Sequence, residues 1–250
     1  MNKLVLTVVL ILGILIGGYF LIIRLKDSSK PNPPIKILQP SQKVSFETPK
    51  KAAHYESSTP SHGAVLAIPP INIAINFNFD LADASTISIT ANKKEYGIDK
   101  TTVDDNNKLT LRRSFDPTAP DGIYTVLYNA CWPNGSCHDG KFQFAIDRSK
   151  LNDAVDMRNQ KVVNIDLSGS TFIPKDIRIS QGTQVIWTNS DNVIHYVNTD
   201  SHPAHSYFKD QNSKALKKND VYSLTFNNEG TYPYHCSAHA DNMVGTIIVE

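Results

Sequence analysis

The sequence predicts an all-β fold in which two β-sandwich domains follow one N-terminal transmembrane helix. Three observations predict this fold class. Glycine and proline separate short segments rich in β-branched and aromatic residues, which is typical of β-sandwiches. A short polar linker divides these segments into two series, and 250 residues are enough for two ordinary domains and an appendage. The chain also begins with one long apolar run.

The overall charge is nearly balanced. The formal net charge is +1, 20% of the residues are charged and 40% are hydrophobic. A protein that binds nucleic acid usually carries clustered positive charge. We therefore expect no nucleic-acid partner.

The apolar run extends from Leu4 to Ile23. At about 1.5 Å per helical residue it is just long enough to cross a hydrocarbon core of about 30 Å. A cleavable signal peptide has a shorter apolar region followed by small residues, whereas this run ends directly at Arg24. We expect residues 1–26 to form a signal anchor that is not cleaved. A cleaved segment is the alternative. The flanking positive charges do not fix its orientation.

Residues 27–53 are predicted to be a tether. This segment is polar and interrupted by proline, as in Pro31-Asn32-Pro33-Pro34. Such a composition cannot pack a core and favours an extended chain. The tether would hold the folded domains away from the bilayer.

The first domain is predicted to span residues 54–147. In Ile71–Phe79 apolar and polar residues alternate, which predicts a strand with one buried and one solvated face. Turn signals such as Pro120-Asp121-Gly122 separate the other segments. The further predicted strands are Thr86–Thr90, Lys108–Arg112, Gly122–Asn129 and Gly140–Ile146.

Two stretches of this domain resemble the copper-resistance protein CopC. His54–Pro60, with Gly63 and Pro69, is similar to the opening of that family, and Asp121–Val126 with Gly140–Phe144 is similar to its closing hairpin. The resemblance implies an immunoglobulin-type β-sandwich.

The copper ligands of the CopC family are not in register here. That family uses an N-terminal His with its free amine, and an Asp and a His near the last hairpin. The matching hairpin of this chain reads Asn134-Gly135-Ser136, and His54 has no free amine unless the tether is cut. Two interpretations remain open: a shifted site formed by His54 and His138, or a spacer domain without metal.

Cys131 and Cys137 flank the same hairpin. They predict a disulfide that contributes roughly 2–3 kcal/mol through chain entropy; the alternative is a soft Cu(I) site with His138. We expect the disulfide. Because disulfides persist in oxidising compartments, this places both sandwiches on the extracytoplasmic side of the membrane.

A linker at residues 148–160, with a helical turn near residues 151–157, leads to the second domain at residues 161–250. Its segments again alternate and are short. The predicted strands are Val162–Leu167, Asp176–Ile179, Thr183–Thr188, Tyr196–Thr199, Tyr222–Phe226, Gly230–His235 and Gly245–Val249.

The last turn of this domain carries a metal-binding pattern. Cys236 and His239 are three positions apart, and Met243 follows four positions later. One Cys, two His and a weak axial Met are the ligand set of a blue-copper centre. A second His is best supplied by a distant rigid element, and His195 follows a predicted strand and a polar turn.

These residues, with Phe172-Ile173-Pro174 and Val185–Asn189, resemble small blue copper proteins of the plastocyanin and pseudoazurin kind. The resemblance covers about residues 161–250. It implies a Greek-key cupredoxin sandwich with one type 1 copper as cofactor. It further implies that His195, Cys236 and His239 are the strong ligands and that Met243 is the axial ligand.

Four other polar residues lie near this pattern. Strand alternation directs His235 away from Cys236 and predicts a surface position. His202 and His205 are consistent with a copper-entry patch or with a solvated loop, and Asp241 is typical of a turn.

The predicted function is one-electron transfer by a membrane-anchored, extracytoplasmic type 1 copper protein. The alternative is copper homeostasis or resistance, in which copper is bound, stored or handed over at the cell surface; a structural zinc site is a third interpretation. Multicopper enzymes need a further copper centre, and this chain has no His-x-His pair, so we expect no enzyme. The expected partner is an unidentified redox or copper-donor protein.

Overall fold

The computed structural model describes residues 44–105 and 107–250. The predicted anchor at residues 1–26 and the tether up to residue 43 lie outside the described residues. Within the described ranges, no helix has the length and apolar character needed to cross a membrane.

The described residues form eighteen strands and two short 3-10 helices, Arg148–Asp153 and Ser237–His239. The strands of the first half are β1 (Tyr55–Thr59), β2 (Val65–Leu66), β3 (Asn72–Phe77), β4 (Thr86–Ala91), β5 (Lys94–Glu95), β6 (Gly97–Val103), β7 (Thr110–Phe115), β8 (Gly122–Cys131) and β9 (Cys137–Ile146). Those of the second half are β10 (Val155–Asp156), β11 (Val162–Ser168), β12 (Thr171–Ile173), β13 (Asp176–Ile179), β14 (Thr183–Asn189), β15 (Asn198–Thr199), β16 (Val221–Phe226), β17 (Gly230–His235) and β18 (Val244–Val249).

The first half is a sandwich of two sheets. One sheet has the strand order β1-β3-β7-β6 and the other β2-β9-β8-β4-β5. Side chains from both sheets fill the core between them, among them Ile75, Phe115, Tyr124 and Phe144. The sequence pattern does not predict β1 and β6, because both strands are mostly polar and show little alternation.

The second half is also a sandwich. Its sheets have the orders β12-β11-β14-β16 and β10-β13-β18-β17-β15. The pairs β11–β14 and β13–β18 are parallel, whereas β17 and β18 are antiparallel. Trp187 is fully buried between the sheets, with its ring against Tyr222 and Tyr234. The described part of the chain is therefore mostly β, with one sandwich in each half, as predicted.

Strand β3 is buried on both faces, and the prediction of one solvated face is wrong. Ile73, Ile75 and Phe77 point into the first core, as expected. Asn72 and Asn76 on the other face are also buried, because the second sandwich covers them. The amide of Asn76 donates to Ser201 Oγ at 2.8 Å. A polar strand face thus forms an interface and is not in contact with water.

Tyr207 joins the two sandwiches. Its side chain is 2% exposed, and its hydroxyl accepts from the Ile71 backbone N–H at 2.9 Å and donates to the Thr231 carbonyl at 2.8 Å. Next to it, the Thr231 hydroxyl donates to the Ile68 carbonyl at 2.9 Å. Since buried polar groups need partners, these bonds tie the first sandwich to β17.

The segment from Val44 to Lys50 lies along β9, although the predicted tether extends to residue 53. Lys50 and Lys141 exchange two backbone hydrogen bonds of 2.8 Å. Their side chains form ion pairs with Asp139 and Glu47, respectively. The end of the polar segment is thus docked on the first sandwich.

The residues between the sandwiches are ordered. The 3-10 helix Arg148–Asp153 begins earlier than the predicted helical turn, because the Asp147 side chain caps it by accepting from the Ser149 N–H. Strand β10 then pairs with β13 and becomes the edge of a sheet of the second sandwich. The predicted linker therefore belongs partly to this sandwich.

Cys131 and Cys137 form a disulfide at the end of the β8–β9 hairpin. The predicted disulfide is confirmed. Because both sulfurs are oxidised, neither is a thiolate ligand for Cu(I).

Candidate metal centre

The turn between β17 and β18 brings three of the predicted ligands to one end of the sandwich. Cys236 follows β17 directly, and its N–H donates to the Met243 carbonyl at 2.9 Å. The short helix Ser237–His239 then folds the chain back, with the Met243 N–H donating to the His239 carbonyl at 2.9 Å. This tight turn fixes the backbone of Cys236, His239 and Met243.

His195 reaches the same place from the loop that follows β14 of the other sheet. Asn189 at the end of β14 is fully buried and donates to the carbonyls of Val193 and Leu216, at 2.8 Å each. His195 and Leu216 exchange backbone hydrogen bonds of 3.1 and 2.9 Å. The turn before His195 is therefore rigid. His195 does not begin a strand, because β15 starts only at Asn198.

The ligand atoms of His195, Cys236 and His239 lie within 4.8 Å of one another. The Cys236 Sγ is 3.6 Å from the His195 Nδ1 and 3.5 Å from the His239 Nδ1. Cys236, His195 and Met243 are fully buried, and His239 is half-buried. Met243 belongs to the same buried cluster as Cys236.

Asp191 orients His195. One of its carboxylate oxygens is 2.8 Å from the His195 Nε2. Since a carboxylate only accepts hydrogen bonds, the proton lies on Nε2 and the Nδ1 lone pair faces the sulfur. Hydrogen bonds from His195 and from the backbone of Gly169 and Ser170 hold the pKa of Asp191 below its usual range. From the sequence alone, Asp191 is only one residue of the polar turn before His195.

The Cys236 sulfur accepts a hydrogen bond from the Tyr196 N–H at 3.3 Å. This bond holds the sulfur in place, and a thiolate is the metal-binding form of cysteine. A thiolate and two imidazoles in a buried pocket, with a thioether in the same cluster, form a soft donor set that suits copper. These residues fit a type 1 copper ion.

A second group of histidines lies beside this centre. His202, His205 and His235 have ring nitrogens within 4.8 Å of one another. His235 is 2% exposed, so the expected surface position is wrong. The His205 and His235 Nε2 atoms are 3.2 Å apart, and Asp200 lies 3.0 Å from the His235 Nδ1. Burial, together with the positive charge of His235 and His202 when protonated, lowers the pKa of His205 to about 4.

In the first sandwich, His54 and His138 both lie beside the Trp132 ring, at centroid distances of 5.3 and 6.3 Å. The His54 Nδ1 is hydrogen-bonded to Asn78 at 2.8 Å. In the described part of the chain, no third metal-binding side chain completes a cluster with them.

A cupredoxin-like sandwich with a His-Cys-His group at one end, in which His195 and Cys236 are buried, defines a protein of the blue-copper class. Residues 159–250 match the family model of copper-binding proteins of the plastocyanin/azurin family, and residues 55–147 match that of the CopC domain. The chain belongs to the plastocyanin/azurin family. Both predicted resemblances are confirmed.

Two curated relatives are amicyanins. Amicyanin-alpha of Methylorubrum extorquens is 35% identical over 86 residues, which cover 34% of this chain and 70% of that protein. Amicyanin of Paracoccus denitrificans is 31% identical over 88 residues, covering 34% of this chain and 63% of the relative. The cofactor is therefore a type 1 copper, as predicted.

Solved cupredoxin structures are also similar to the second sandwich. The Cu(I) form of an amicyanin mutant is 27% identical with a TM-score of 0.32, covering 36% of this chain and 84% of that one. A purple cupredoxin from Nitrosopumilus maritimus is 28% identical with a TM-score of 0.31, covering 35% and 99%, respectively. The two family-model matches and the amicyanin relatives together support copper binding, with electron transfer or copper handling as the role.

Proposed function

We propose that this protein is a membrane-anchored, extracytoplasmic carrier of single electrons. His195, Cys236 and His239 would be the strong copper ligands and Met243 the axial ligand. One observation carries this proposal: the buried Cys236 Sγ lies 3.6 and 3.5 Å from the Nδ1 atoms of two histidines on separate elements. Type 1 copper in such a ligand set supplies reversible one-electron redox chemistry.

The side chains of this site are held in place by their neighbours. Asp191 fixes the ring of His195, and Leu216 fixes its backbone. The Tyr196 N–H holds the Cys236 sulfur. His195 and Cys236 are fully buried, which shields both side chains from bulk solvent. Because the donors are already in place, little would move when the charge of the centre changes, and this favours fast electron transfer.

The partner is proposed to dock where the site approaches the surface. His239 is half-buried, and the neighbouring Val193, Ile194 and Val244 are 51%, 45% and 47% exposed. These apolar residues lie within two positions of the proposed ligands His195 and Met243. An apolar rim of this kind suits brief contact with a redox or copper-donor protein.

Residues 1–26 are proposed to anchor the protein and residues 27–43 to link the anchor to the first sandwich. The Cys131–Cys137 disulfide supports an oxidising compartment, and hence an extracytoplasmic location. We propose that the type 1 site transfers electrons without catalysing a reaction of its own.

Copper homeostasis is the second candidate function. The match of residues 55–147 to the CopC domain favours it. A store or donor exchanges its copper with a chelator, whereas an electron carrier cycles reversibly without losing metal. Repeated reduction and oxidation of the loaded protein beside a competing chelator separates the two functions.

The test of the proposed ligands is a Cu(II) titration of the full-length protein, followed by visible and electron-paramagnetic-resonance (EPR) spectroscopy. We expect an intense blue band that is lost in Cys236→Ser and shifted in Met243→Ala. Asp241→Ala, which removes an exposed side chain of the same loop, serves as the control and should keep the parent spectrum. Absence of the blue band from the parent protein would refute the electron-transfer proposal.

A further inference from the structure

The second group of histidines is built like a metal site. His202 and His205 come from the segment between β15 and β16, and His235 is the last residue of β17. Their ring nitrogens converge within 4.8 Å. Imidazole nitrogens bind first-row metals at about 2.0–2.1 Å, so small side-chain rotations would bring all three nitrogens onto one ion.

Asp200 orients the His235 ring for metal binding. Its carboxylate is 3.0 Å from the His235 Nδ1 and accepts a hydrogen bond from it. The His235 Nε2 is therefore an unprotonated acceptor that faces the His205 Nε2 at 3.2 Å. A histidine that binds a metal commonly donates its other ring N–H to a carboxylate, which orients the ring. The same relationship, Asp191 behind His195, occurs at the type 1 centre.

The burial of the three rings differs. His235 is buried, His205 is half-buried and His202 is exposed. Three protein ligands with one exposed side leave a coordination position for water or a small anion, as in open metal sites. Without metal, one of the two Nε2 atoms of His205 and His235 must carry a proton for the two rings to form a hydrogen bond. The Ser237 Oγ also lies 3.0 Å from the His205 Nε2.

The first sandwich supports the segment that carries His202 and His205. The Ser201 hydroxyl is 2.8 Å from the Asn76 amide and 2.7 Å from the Ser57 hydroxyl. On the other side of the two histidines, the Ser206 hydroxyl donates to the Asn76 Oδ1 at 2.7 Å. Both ends of the histidine-bearing turn are thus fastened to the same residue, Asn76 of β3. This gives the first sandwich a role that does not require a metal of its own.

We propose that His202, His205 and His235 bind a second copper ion, as Cu(II). Three neutral imidazoles suit Cu(II) or Zn(II), and Cu(II) binds more tightly to a given nitrogen site. The neighbouring centre already makes this a copper protein. His235 and Cys236 are consecutive, so one peptide unit joins the second ion's ligand to the ligand of the type 1 ion.

The test is a Cu(II) titration of the full-length protein, with copper counted by elemental analysis and each ion identified by EPR. We expect two copper ions per chain, the second with an EPR signal but without an intense visible band. His202→Asn with His205→Asn should lose the second ion and keep the blue band. Cys236→Ser should lose the blue band and keep the second ion, so the failure of one site is separable from the failure of the other.

Two further variants locate the second ion. Asp200→Ala should weaken the binding of the second ion about 10–100-fold, which is the usual effect of removing a carboxylate that orients a ligand histidine. The affinity of the blue site should be unchanged. His138→Asn alters an exposed histidine of the first sandwich and should leave both ions bound. A single copper ion in the parent protein would overturn the proposal. So would a second ion that survives His202→Asn with His205→Asn, that disappears in His138→Asn, or that is displaced by equimolar Zn(II).

Discussion

The Asp191 carboxylate lies 2.8 Å from the His195 Nε2, four residues along the chain and on the side of the ring away from the Cys236 sulfur. It holds the imidazole in the tautomer whose Nδ1 faces the sulfur. The carboxylate is itself held by the N–H groups of Gly169 and Ser170. One acidic residue thus connects the loop after β11 to the metal centre.

Asp191→Ala is therefore expected to weaken copper binding about 10–100-fold, because His195 loses the group that orients it. Competition with a chelator of known affinity measures the change. Asp241→Ala removes the same charge from an exposed position of the ligand loop and is the matched control. Equal affinities for the two variants would contradict the orienting role of Asp191.

Tyr207→Phe is expected to destabilise the protein by about 1–3 kcal/mol, because the Ile71 N–H and the Thr231 carbonyl both lose a partner at the interface between the sandwiches. Urea unfolding, monitored by fluorescence, measures the loss. Tyr222→Phe removes a hydroxyl that is bonded to the Asp210 carbonyl on the surface, and should cost less. If both variants lost the same stability, Tyr207 would have no special role between the sandwiches.

Replacing Cys131 and Cys137 together by alanine is expected to cost about 2–3 kcal/mol through the entropy of the unfolded chain. The blue band should persist, because the hairpin belongs to the first sandwich and the type 1 centre to the second. Thermal unfolding of the loaded variant, beside its absorption spectrum, tests both parts. Loss of the blue band would reveal a coupling between the disulfide and the copper site.

The docking of residues 44–50 on β9 is expected to weaken in acid. Hydrogen bonding and charge from Lys141 lower the pKa of Glu47, and Lys50 acts in the same way on Asp139. Both carboxylates therefore stabilise the docked segment at every pH above their usual pKa values. This contribution is lost as the pH falls through the lowered pKa values.

Hydrogen exchange at the Lys50 and Lys141 amides measures this docking. Protection should stay constant from about pH 7 to about pH 5 and decrease below about pH 4. High salt should reduce it at neutral pH, because exposed ion pairs are screened. In Glu47→Gln with Asp139→Asn the protection should be low at every pH. A parent protein whose protection does not vary with pH would contradict the role of these ion pairs.

The sequence predicts best what depends on local pattern. Strands β13 and β17 begin and end where the alternation predicts, and the spacing of Cys236, His239 and Met243 indicates copper without any structure. His195 is also identifiable, since it follows a strand and a polar turn. In each case neighbours along the chain carry the signal.

Features that depend on distant neighbours are not predictable in this way. The alternation of apolar and polar residues places Asn76 on a solvated face. This pattern contains no information about the Ser201 hydroxyl, which lies 125 positions away in the chain. It places His235 on the surface for the same reason, since Asp200 and His205 cover it from another segment. Asp191 gives only a weak local signal. It is an acidic residue four positions before a ligand histidine.

The shared role of Asn76 bears on how this protein can be dissected. A fragment that starts at residue 161 would keep the predicted second domain, yet it would expose the Ser206 and Tyr207 carbonyls that Arg112 now binds. The turn with His202 and His205 would lose the surface that shapes it. A redox potential or a metal count measured on such a fragment would describe an altered molecule, so the two sandwiches form the smallest unit that represents the native chemistry.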